Sequence, residues 1–313
     1  MKRLLLLLIF IMGTLSLTAQ TEPTAHCYAV GDDLWLDHYR ADVEGKRPCV
    51  IFAFGGGFSH GTRKAKMYTP YFEMLLKHGF DVVAIDYRLG MAYTLEEGND
   101  VGIVDGIMAM YRSVNYAAED LLRATRYLLD NADEWQIDTT RIVASGSSAG
   151  AIASLQAENY ICNNHEYASS LPKEFNYAGV VAFAGAVYSI LGDPNWAKMP
   201  CPMMLFHGNS DRNVPYYRAT MFGTGFYGSA YIVEQLSKID GSSIYFYSAI
   251  YRDHDMAVEP LSANHKEICD FLQTCVVEGK QWRNIVDITN PAVKPQQTKF
   301  TIMEYLNSNY ASK

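Results

Sequence analysis

The sequence lacks several features that would indicate a function directly. Its 313 residues contain no long cluster of lysine and arginine, no low-complexity tract and no internal repeat. The chain has 26 basic and 34 acidic residues and a net charge of −8. It therefore lacks the concentrated basic surface that a nucleic-acid backbone requires. This composition argues against nucleic acid as a partner and is typical of a soluble globular protein.

Cysteine is scarce and is not spaced for a metal. The six cysteines include no Cys-x-x-Cys pair, so the sequence predicts no structural zinc site. We expect one or two disulfides at most, because a chain of this size can bury a core without cross-links. The spacing does not assign a pairing among Cys27, Cys49, Cys162, Cys201, Cys269 and Cys275.

Long apolar runs are absent except at the beginning of the chain. Lys2 and Arg3 precede an apolar run over 4–12, and small and polar residues follow it. This pattern predicts a signal peptide over 1–19, with an uncleaved N-terminal anchor as the alternative. The run is shorter than the ~20 apolar residues of a membrane span. We therefore expect a secreted or periplasmic mature chain with no stable membrane span, and its oligomeric state stays open.

Short apolar runs alternate with amphipathic segments through most of the chain. This alternation predicts an α/β fold with a mostly parallel central sheet and helices on both faces. We expect a single domain over 20–313, with a core at about 45–276, a polar tail over 277–313 that ends in a short helix, and an antiparallel edge strand at 32–42. The predicted strands are 48–54, 80–87, 141–145, 177–185, 202–208 and 243–249, and the predicted helices are 71–79, 116–132, 150–161 and 228–241.

A Gly-x-Ser-x-Gly motif occurs at 146–150, between a predicted strand and a predicted helix. A serine on such a sharp turn needs very small residues two positions before and after it. Glycines occupy those positions around Ser148, whereas Ser145 and Ala149 flank Ser147, so Ser148 is the predicted nucleophile. The following helix would place the positive end of its dipole beside a developing oxyanion. The alternative is an ordinary tight turn.

Three consecutive glycines follow the first predicted buried strand, within "FAFGGGFSHG" at 52–61. Backbone N–H groups in such a loop can face a ligand without interference from side chains. Taken alone, the loop is equally consistent with a plain glycine turn.

An acid and a base follow two later strands in the order expected for this architecture. Asp211 lies in "HGNSDRNVP" and His254 lies in "YRDHDMA". Ser148, then Asp211, then His254 is the chain order of the catalytic groups in a nucleophile-elbow hydrolase. In that chemistry the imidazole transfers the proton, and the carboxylate fixes its tautomer and stabilises the imidazolium.

Other candidates for these two roles are less suitable. His265 belongs to a helical segment, and His207 is predicted to be a structural residue at a strand end. Asp253 and Asp255 lie too close to His254 in sequence to orient its ring. Asp193 remains the alternative acid.

Together these segments resemble the α/β-hydrolases, and within them the carboxylesterase and lipase branch of bacterial carbohydrate-esterase-like proteins (BD-FAE type). The resemblance implies a metal-free serine hydrolase that needs no cofactor and acts through an acyl-enzyme. It also implies oxyanion donors at Gly56, Gly57 and Ala149. Phe54 stands where this branch usually has histidine. The loop that carries Asp211 resembles that of dienelactone-hydrolase-like and prolyl-oligopeptidase-like relatives more than it resembles the hormone-sensitive-lipase pattern.

The sequence thus predicts an exported serine esterase of small or medium acyl esters. By analogy we expect acetyl or feruloyl esters of polysaccharides as substrates. The alternatives are a serine exopeptidase and a catalytically inactive member of the fold that binds glycans or proteins. Aromatic residues after the acid loop either line a substrate pocket or pack a surface excursion: Tyr216, Tyr217, Phe222, Phe226 and Tyr227.

Overall fold

A computed structural model describes residues 22–92 and 103–310 of the chain. The predicted signal peptide at 1–19 lies outside the described residues. In the part that is described, the alternation of strands and helices along the chain agrees with the predicted α/β class.

Twelve strands occur within the described residues. They are Thr24–Ala29 (β1), Leu34–Tyr39 (β2), Arg47–Ala53 (β3), Asp81–Ile85 (β4), Ile137–Ser147 (β5), Gly179–Phe183 (β6), Ala186–Ser189 (β7), Met203–Gly208 (β8), Arg218–Met221 (β9), Thr224–Gly228 (β10), Ile244–Ala249 (β11) and Arg283–Ile288 (β12). Nine of them form one sheet in the order β1-β2-β4-β3-β5-β6-β8-β11-β12. From β4 to β12 all neighbours are parallel, while β1 and β2 are antiparallel. The remaining three form a small antiparallel sheet in the order β7-β10-β9.

The helices form two groups that cover opposite faces of the main sheet. The α-helices of the described residues are Thr69–Lys77 (α1), Ile103–Asp130 (α2), Ala132–Trp135 (α3), Ala149–Cys162 (α4), Ser229–Leu236 (α5), Pro260–Ala263 (α6), His265–Phe271 (α7) and Ile302–Tyr310 (α8). Helix α2 packs on α4, which lies against β3, β5 and β6. Helix α1 contacts β4, α6 and α7 instead. A π-helical turn, Leu272–Val277, continues α7.

Burial explains why the central strands are continuous apolar runs. Every residue of β4, β6 and β8 is buried, because helices cover both faces of a parallel sheet. All fourteen residues of α4 are buried as well. Since α4 begins directly after Ser148, the turn that carries this serine lies between the buried last six residues of β5 and a fully buried helix.

The sheet extends beyond the predicted core at both ends of the chain. The segment 32–42 contains the predicted antiparallel strand, but β1 pairs outside it, so β2 is not the edge. Residues of the predicted tail form β12, which pairs in parallel with β11. Every residue of β12 is solvent-exposed or half-buried, so its sequence lacks the apolar run by which the inner strands were found.

Two of the four predicted helices differ from their predicted bounds by more than two residues at one end. Helix α2 already includes Ile103, where the described residues resume, whereas the predicted helix began at 116, and α5 ends at Leu236 rather than at 241. All six cysteine thiols are free. No helix of the described residues is long and apolar enough to cross a bilayer.

Candidate active site

Ser148 lies on a strained turn between β5 and α4. Its backbone angles are φ 52° and ψ −115°, a combination that residues other than glycine rarely adopt. A Cβ on Gly146 would lie 2.3 Å from the carbonyl of Gly150, and a Cβ on Gly150 would lie 2.0 Å from the oxygen of Ala53. Both glycines are therefore required by the close approach of strand and helix. This is the geometry of a nucleophile elbow.

The two adjacent serines have different partners. Ser148 Oγ lies 2.8 Å from His254 Nε2. Ser147 is buried, and its hydroxyl donates to the carbonyl oxygen of Ala257 at 2.8 Å. Only Ser148 is thus paired with a base, in agreement with the choice made from the glycine spacing.

His254 and Asp211 complete a hydrogen-bonded chain from Ser148. The Nδ1–H of His254 donates to Asp211 Oδ2 at 2.8 Å. Asp211 is fully buried, and its Oδ1 accepts from the backbone amides of Asn213 at 2.8 Å and Val214 at 2.9 Å. The side chain of His254 is 22% exposed, so the end of the chain that faces Ser148 is open to a substrate.

Charge and burial have opposite effects on the pKa values of Asp211 and His254. Burial by itself would raise the pKa of Asp211, but the charge of His254 and hydrogen bonds from His207 and His254 lower that pKa well below its usual range. Burial likewise disfavours the imidazolium of His254, but the nearby Asp211 carboxylate outweighs it and raises the pKa of His254 above 6.5. Asp211 is therefore ionised at neutral pH and stabilises a proton on His254.

The loops that carry the acid and the base are joined to each other. Asp253, next to His254, accepts from the backbone amide of Arg212 at 2.9 Å and from its guanidinium Nε at 2.8 Å. A Cβ on Gly208 would lie 2.2 Å from the carbonyl oxygen of Arg252, so glycine there lets the two loops touch. The amide of Ser210 donates to that same oxygen at 2.9 Å. These contacts fix the separation of Asp211 from His254.

The glycine loop lies against the elbow. A Cβ on Gly55 would lie 3.2 Å from Ser148 Cβ. The amide of Gly55 donates to the hydroxyl of Tyr68 at 2.9 Å. Within the described residues, the amides of Gly56 and Gly57 donate to no protein group. These two glycines have φ values of 135° and 60°, and a Cβ on Gly56 would collide with the carbonyl of His60 at 1.9 Å.

Phe54 is held by a second tyrosine. The hydroxyl of Tyr87 donates to the carbonyl oxygen of Phe54 at 2.7 Å, and the two rings stack with centroids 4.4 Å apart. The chain thus fixes its glycine loop through Tyr68 and Tyr87, although it lacks the usual histidine. Sequence reasoning missed the role of both tyrosines because each is distant in sequence from the glycines. Tyr87 belongs to "VVAIDYRL" at 82–89, a segment that contributes to the family resemblance but does not indicate a contact with the glycine loop.

The remaining candidates lie elsewhere. Asp193 is largely exposed and lies 3.9 Å from Arg218, away from the Ser148 chain. His265 begins α7 and contacts the carbonyl of Leu261 at 2.8 Å. His207, predicted to be structural, proves to be a neighbour of the acid, since its Nε2 lies 3.3 Å from Asp211 Oδ2. The sequence feature that could have indicated this contact is the position of His207 in "HGNSDRNVP", four residues before Asp211.

The aromatic residues after the acid loop have different surroundings, and among the described residues the cleft that two of them line includes neither Ser148 nor His254. Tyr216 and Tyr217 line a cleft of about 400 Å³ together with Phe300 and Tyr305 of the C-terminal segment. Tyr227 is buried, and Phe226 packs edge-on against Tyr188 at 4.7 Å. Phe222 is fully exposed at the β9–β10 turn.

Comparison with known proteins agrees with this architecture. A family model described as BD-FAE matches residues 36–100 and 105–190. The solved structure of Thermogutta terrifontis esterase 2 phosphoramylated by tabun covers 85% of this chain and 98% of its own, with 19% sequence identity and a TM-score of 0.58. This chain has the α/β-hydrolase fold. The predicted fold class and the predicted resemblance to carboxylesterase-like proteins are confirmed.

Two curated esterases are similar to part of this α/β-hydrolase. Esterase B1 of Culex pipiens is 28% identical over 152 residues, which make up 46% of this chain and 26% of that protein. Fumonisin B1 esterase of Sphingopyxis macrogoltabida is 32% identical over 133 residues, or 39% of this chain and 22% of that protein. The matched part is therefore about a quarter of the length of these relatives.

Proposed function

We propose that this α/β-hydrolase is an exported serine esterase that cleaves carboxylic esters through an acyl-enzyme. The observation that carries the proposal is the hydrogen-bonded chain from Ser148 through His254 to Asp211, with Ser148 on a strained elbow. The esterase relatives and the BD-FAE match support the same class of reaction.

In the first half-reaction, Ser148 Oγ attacks the ester carbonyl carbon while its proton passes to His254 Nε2. The carbonyl oxygen becomes an oxyanion, to which Gly56, Gly57 and Ala149 donate backbone N–H groups. Each such donor is worth about 2.7–4 kcal/mol of barrier. The intermediate then collapses, and His254 returns the proton to the leaving alkoxide, so that an alcohol departs and an acyl-serine remains.

In the second half-reaction, water replaces the alcohol. His254 removes a proton from the water, whose oxygen attacks the acyl carbon, and Ser148 leaves with that proton. The products are the carboxylic acid and free enzyme. Asp211 stays ionised throughout and stabilises the imidazolium that forms in each step.

The substrate class and the location are finer parts of the proposal. Acetyl or feruloyl esters of polysaccharides are proposed from the BD-FAE match. Export is proposed from the sequence of residues 1–19. Intact mass of protein recovered from the periplasm or medium tests cleavage after Ala19, and retention of the first 19 residues there would contradict it.

A matched pair of serine variants tests the nucleophile. Ser148→Ala should abolish both hydrolysis of p-nitrophenyl acetate and labelling by a fluorophosphonate, a reagent class to which the tabun adduct of the Thermogutta esterase is chemically related. Ser147→Ala, which loses a buried hydrogen bond to Ala257 but no group of the Ser148–His254–Asp211 chain, should keep both. Labelling that persists in Ser148→Ala would refute the assignment.

A panel of substrates then separates the alternatives. Turnover of methyl ferulate or acetylated xylan supports the polysaccharide-ester proposal, whereas faster cleavage of aminoacyl p-nitroanilides would replace it with an exopeptidase. A folded wild-type chain that is neither labelled nor active on any of these would indicate a binding protein.

A further inference from the structure

Asp211 lies between two imidazoles. On one side His254 Nδ1 is 2.8 Å from Oδ2, and on the other side His207 Nε2 is 3.3 Å from the same oxygen. His207 is fully buried at the end of β8. The reaction proposed above uses only His254, which leaves a buried histidine in contact with the acid and without an assigned role.

The surroundings of His207 determine which nitrogen carries its proton. Nε2 faces two acceptors, the carbonyl oxygen of Val214 at 3.1 Å and Asp211 Oδ2 at 3.3 Å. A lone pair at this position would be repelled by both oxygens, so Nε2 carries the hydrogen and shares it between them. On the other side of the ring, Nδ1 lies 2.8 Å from the hydroxyl of Ser229, whose single hydrogen can go either to Nδ1 or to the carbonyl oxygen of Gly185 at 3.1 Å. The two acceptors at Nε2 therefore decide the tautomer.

These contacts form a closed ring around the carboxylate. The amide of Val214 donates to Asp211 Oδ1 at 2.9 Å, and the carbonyl of Val214 accepts from His207. His207 thereby contacts the acid directly and also holds Val214, the residue whose backbone amide donates to the other carboxylate oxygen. Removal of its N–H would free one side of Oδ2 in a site that water does not reach.

We propose that His207 is a positioning residue for the triad: its Nε2–H fixes Asp211 Oδ2 and shares the carboxylate's negative charge with His254. The inference rests on the proposed function, because it concerns the same site. If the hydrogen bond from His207 to Asp211 Oδ2 is lost, less of the negative charge on Oδ2 is neutralised on that side. The attraction between Oδ2 and His254 then becomes stronger. The imidazolium of His254 is then more stable, and the pKa of His254 rises.

Other groups face the pair and stay constant when His207 is changed. They are two aspartates, each held by an arginine, and one tyrosine of α8: Asp253 with Arg212, Asp255 with Arg252, and Tyr305.

Two substitutions at position 207 distinguish the effect of losing the N–H donor from the effect of losing the imidazole ring. His207→Gln carries an amide N–H at the position of Nε2 and keeps the donor to Asp211. His207→Asn carries its amide at the position of Nδ1, toward Ser229, and loses that donor. Histidine labelled with ¹³C at Cε1, titrated by NMR, reports the pKa of His254 without any substrate, and His254→Ala assigns its signal.

We expect the pKa of His254 to rise by roughly 0.5–1 unit in His207→Asn and to stay near the wild-type value in His207→Gln. His38→Asn serves as the control for a general loss of stability, because His38 is buried against another aspartate, Asp81, at 2.8 Å. It should lower the melting temperature and leave the titration of His254 unchanged.

The inference is overturned if the pKa of His254 in His207→Asn does not rise, or if Asn and Gln at position 207 give equal shifts. The acidic limb of kcat/KM against pH should move upward with the NMR value. Absence of esterase activity in the wild-type chain would instead refute the proposed function, and the titration separates these two failures.

Discussion

Replacement of Gly150 by alanine should disable the site without removing any group that takes part in chemistry. The new Cβ would lie 2.0 Å from the carbonyl oxygen of Ala53 and 2.6 Å from that of Phe54. Ordinary contact begins near 3.4 Å, so α4 and the end of β3 must separate by about 1.4 Å. The obstacle is backbone on both sides, which cannot rotate away as a side chain does.

The consequence follows from what the two elements carry. The first turn of α4 holds the amide of Ala149 next to Ser148, and the end of β3 leads into the glycine loop. A misplacement of about 1 Å between reacting groups costs on the order of 100-fold in rate. Overpacking of this kind costs about 1–3 kcal/mol of folding free energy. We therefore expect kcat/KM to fall about 100-fold while the protein still folds.

The assay is hydrolysis of p-nitrophenyl acetate together with thermal unfolding. Gly31→Ala is the matched control, because a Cβ on Gly31 meets nothing within 4 Å, and this variant should retain wild-type activity and melting temperature. A Gly150→Ala protein with more than a third of the wild-type kcat/KM and an unchanged melting temperature would show that strand and helix are not tightly apposed.

Two further predictions concern the base and the glycine loop. Because Asp211 raises the pKa of His254 and the base must be neutral to act, kcat/KM should increase with pH and reach half its maximum above pH 6.5. Asp211→Asn should lower kcat by about 10⁴, and an acidic limb at or below pH 6.5 in the wild type would contradict the coupling. Tyr87→Phe removes a buried hydrogen bond to Phe54 O and should cost about 1–3 kcal/mol of stability, with a loss of kcat rather than a rise in KM. Tyr177→Phe, which loses a buried bond to Thr125 distant from the loop, should lose stability with kcat unchanged, and equal kcat in the two variants would contradict the loop's dependence on Tyr87.

The inner strands were predictable because a strand that is buried on both faces has a nearly continuous run of apolar residues. The runs that form β3, β4, β6 and β8 are mainly apolar, with charged residues only at the first positions of β3 and β4, Arg47 and Asp81. The ends of each strand lie within two residues of the predicted ends. Strand β12, at the edge of the sheet, lacks such an apolar run. Strand β12 has exposed or half-buried residues only, so its pairing with β11 could not be read from composition.

The small sheet of β7, β9 and β10 was missed for a related reason. Its strands have four or five residues each, and β9 is joined to β10 by a turn at Phe222 and Gly223. Strands of this length give too few alternations to be distinguished from loop. Their pairing also depends on tertiary contacts, such as the close approach of Gly228 to the carbonyl of Pro215 at a Cβ distance of 1.7 Å.

In the site, the residues that bear the expected chemistry were predictable, whereas the residues that position them were not. Ser148, Asp211 and His254 lie at strand ends, where a parallel sheet gathers side chains at one edge. The structure brings the three together, and their catalytic roles remain predictions. Tyr68 and Tyr87 act through contacts made across distant parts of the chain, which no local pattern records. His207 lies only four residues before Asp211, but the sequence does not show that its ring faces the carboxylate.

The replacement of the usual histidine by Phe54 illustrates the limit of motif comparison. Judged by motif alone, the substitution removes a hydrogen-bonding group from the oxyanion loop. In the structure the loop gains hydroxyl partners instead, at the carbonyl of Phe54 and at the amide of Gly55. Both hydroxyls belong to buried tyrosines, Tyr87 and Tyr68, whose rings are fixed by packing in the core. Because a loop needs its backbone groups satisfied rather than one particular side chain beside it, the amides of Gly56 and Gly57 can stay oriented without that histidine.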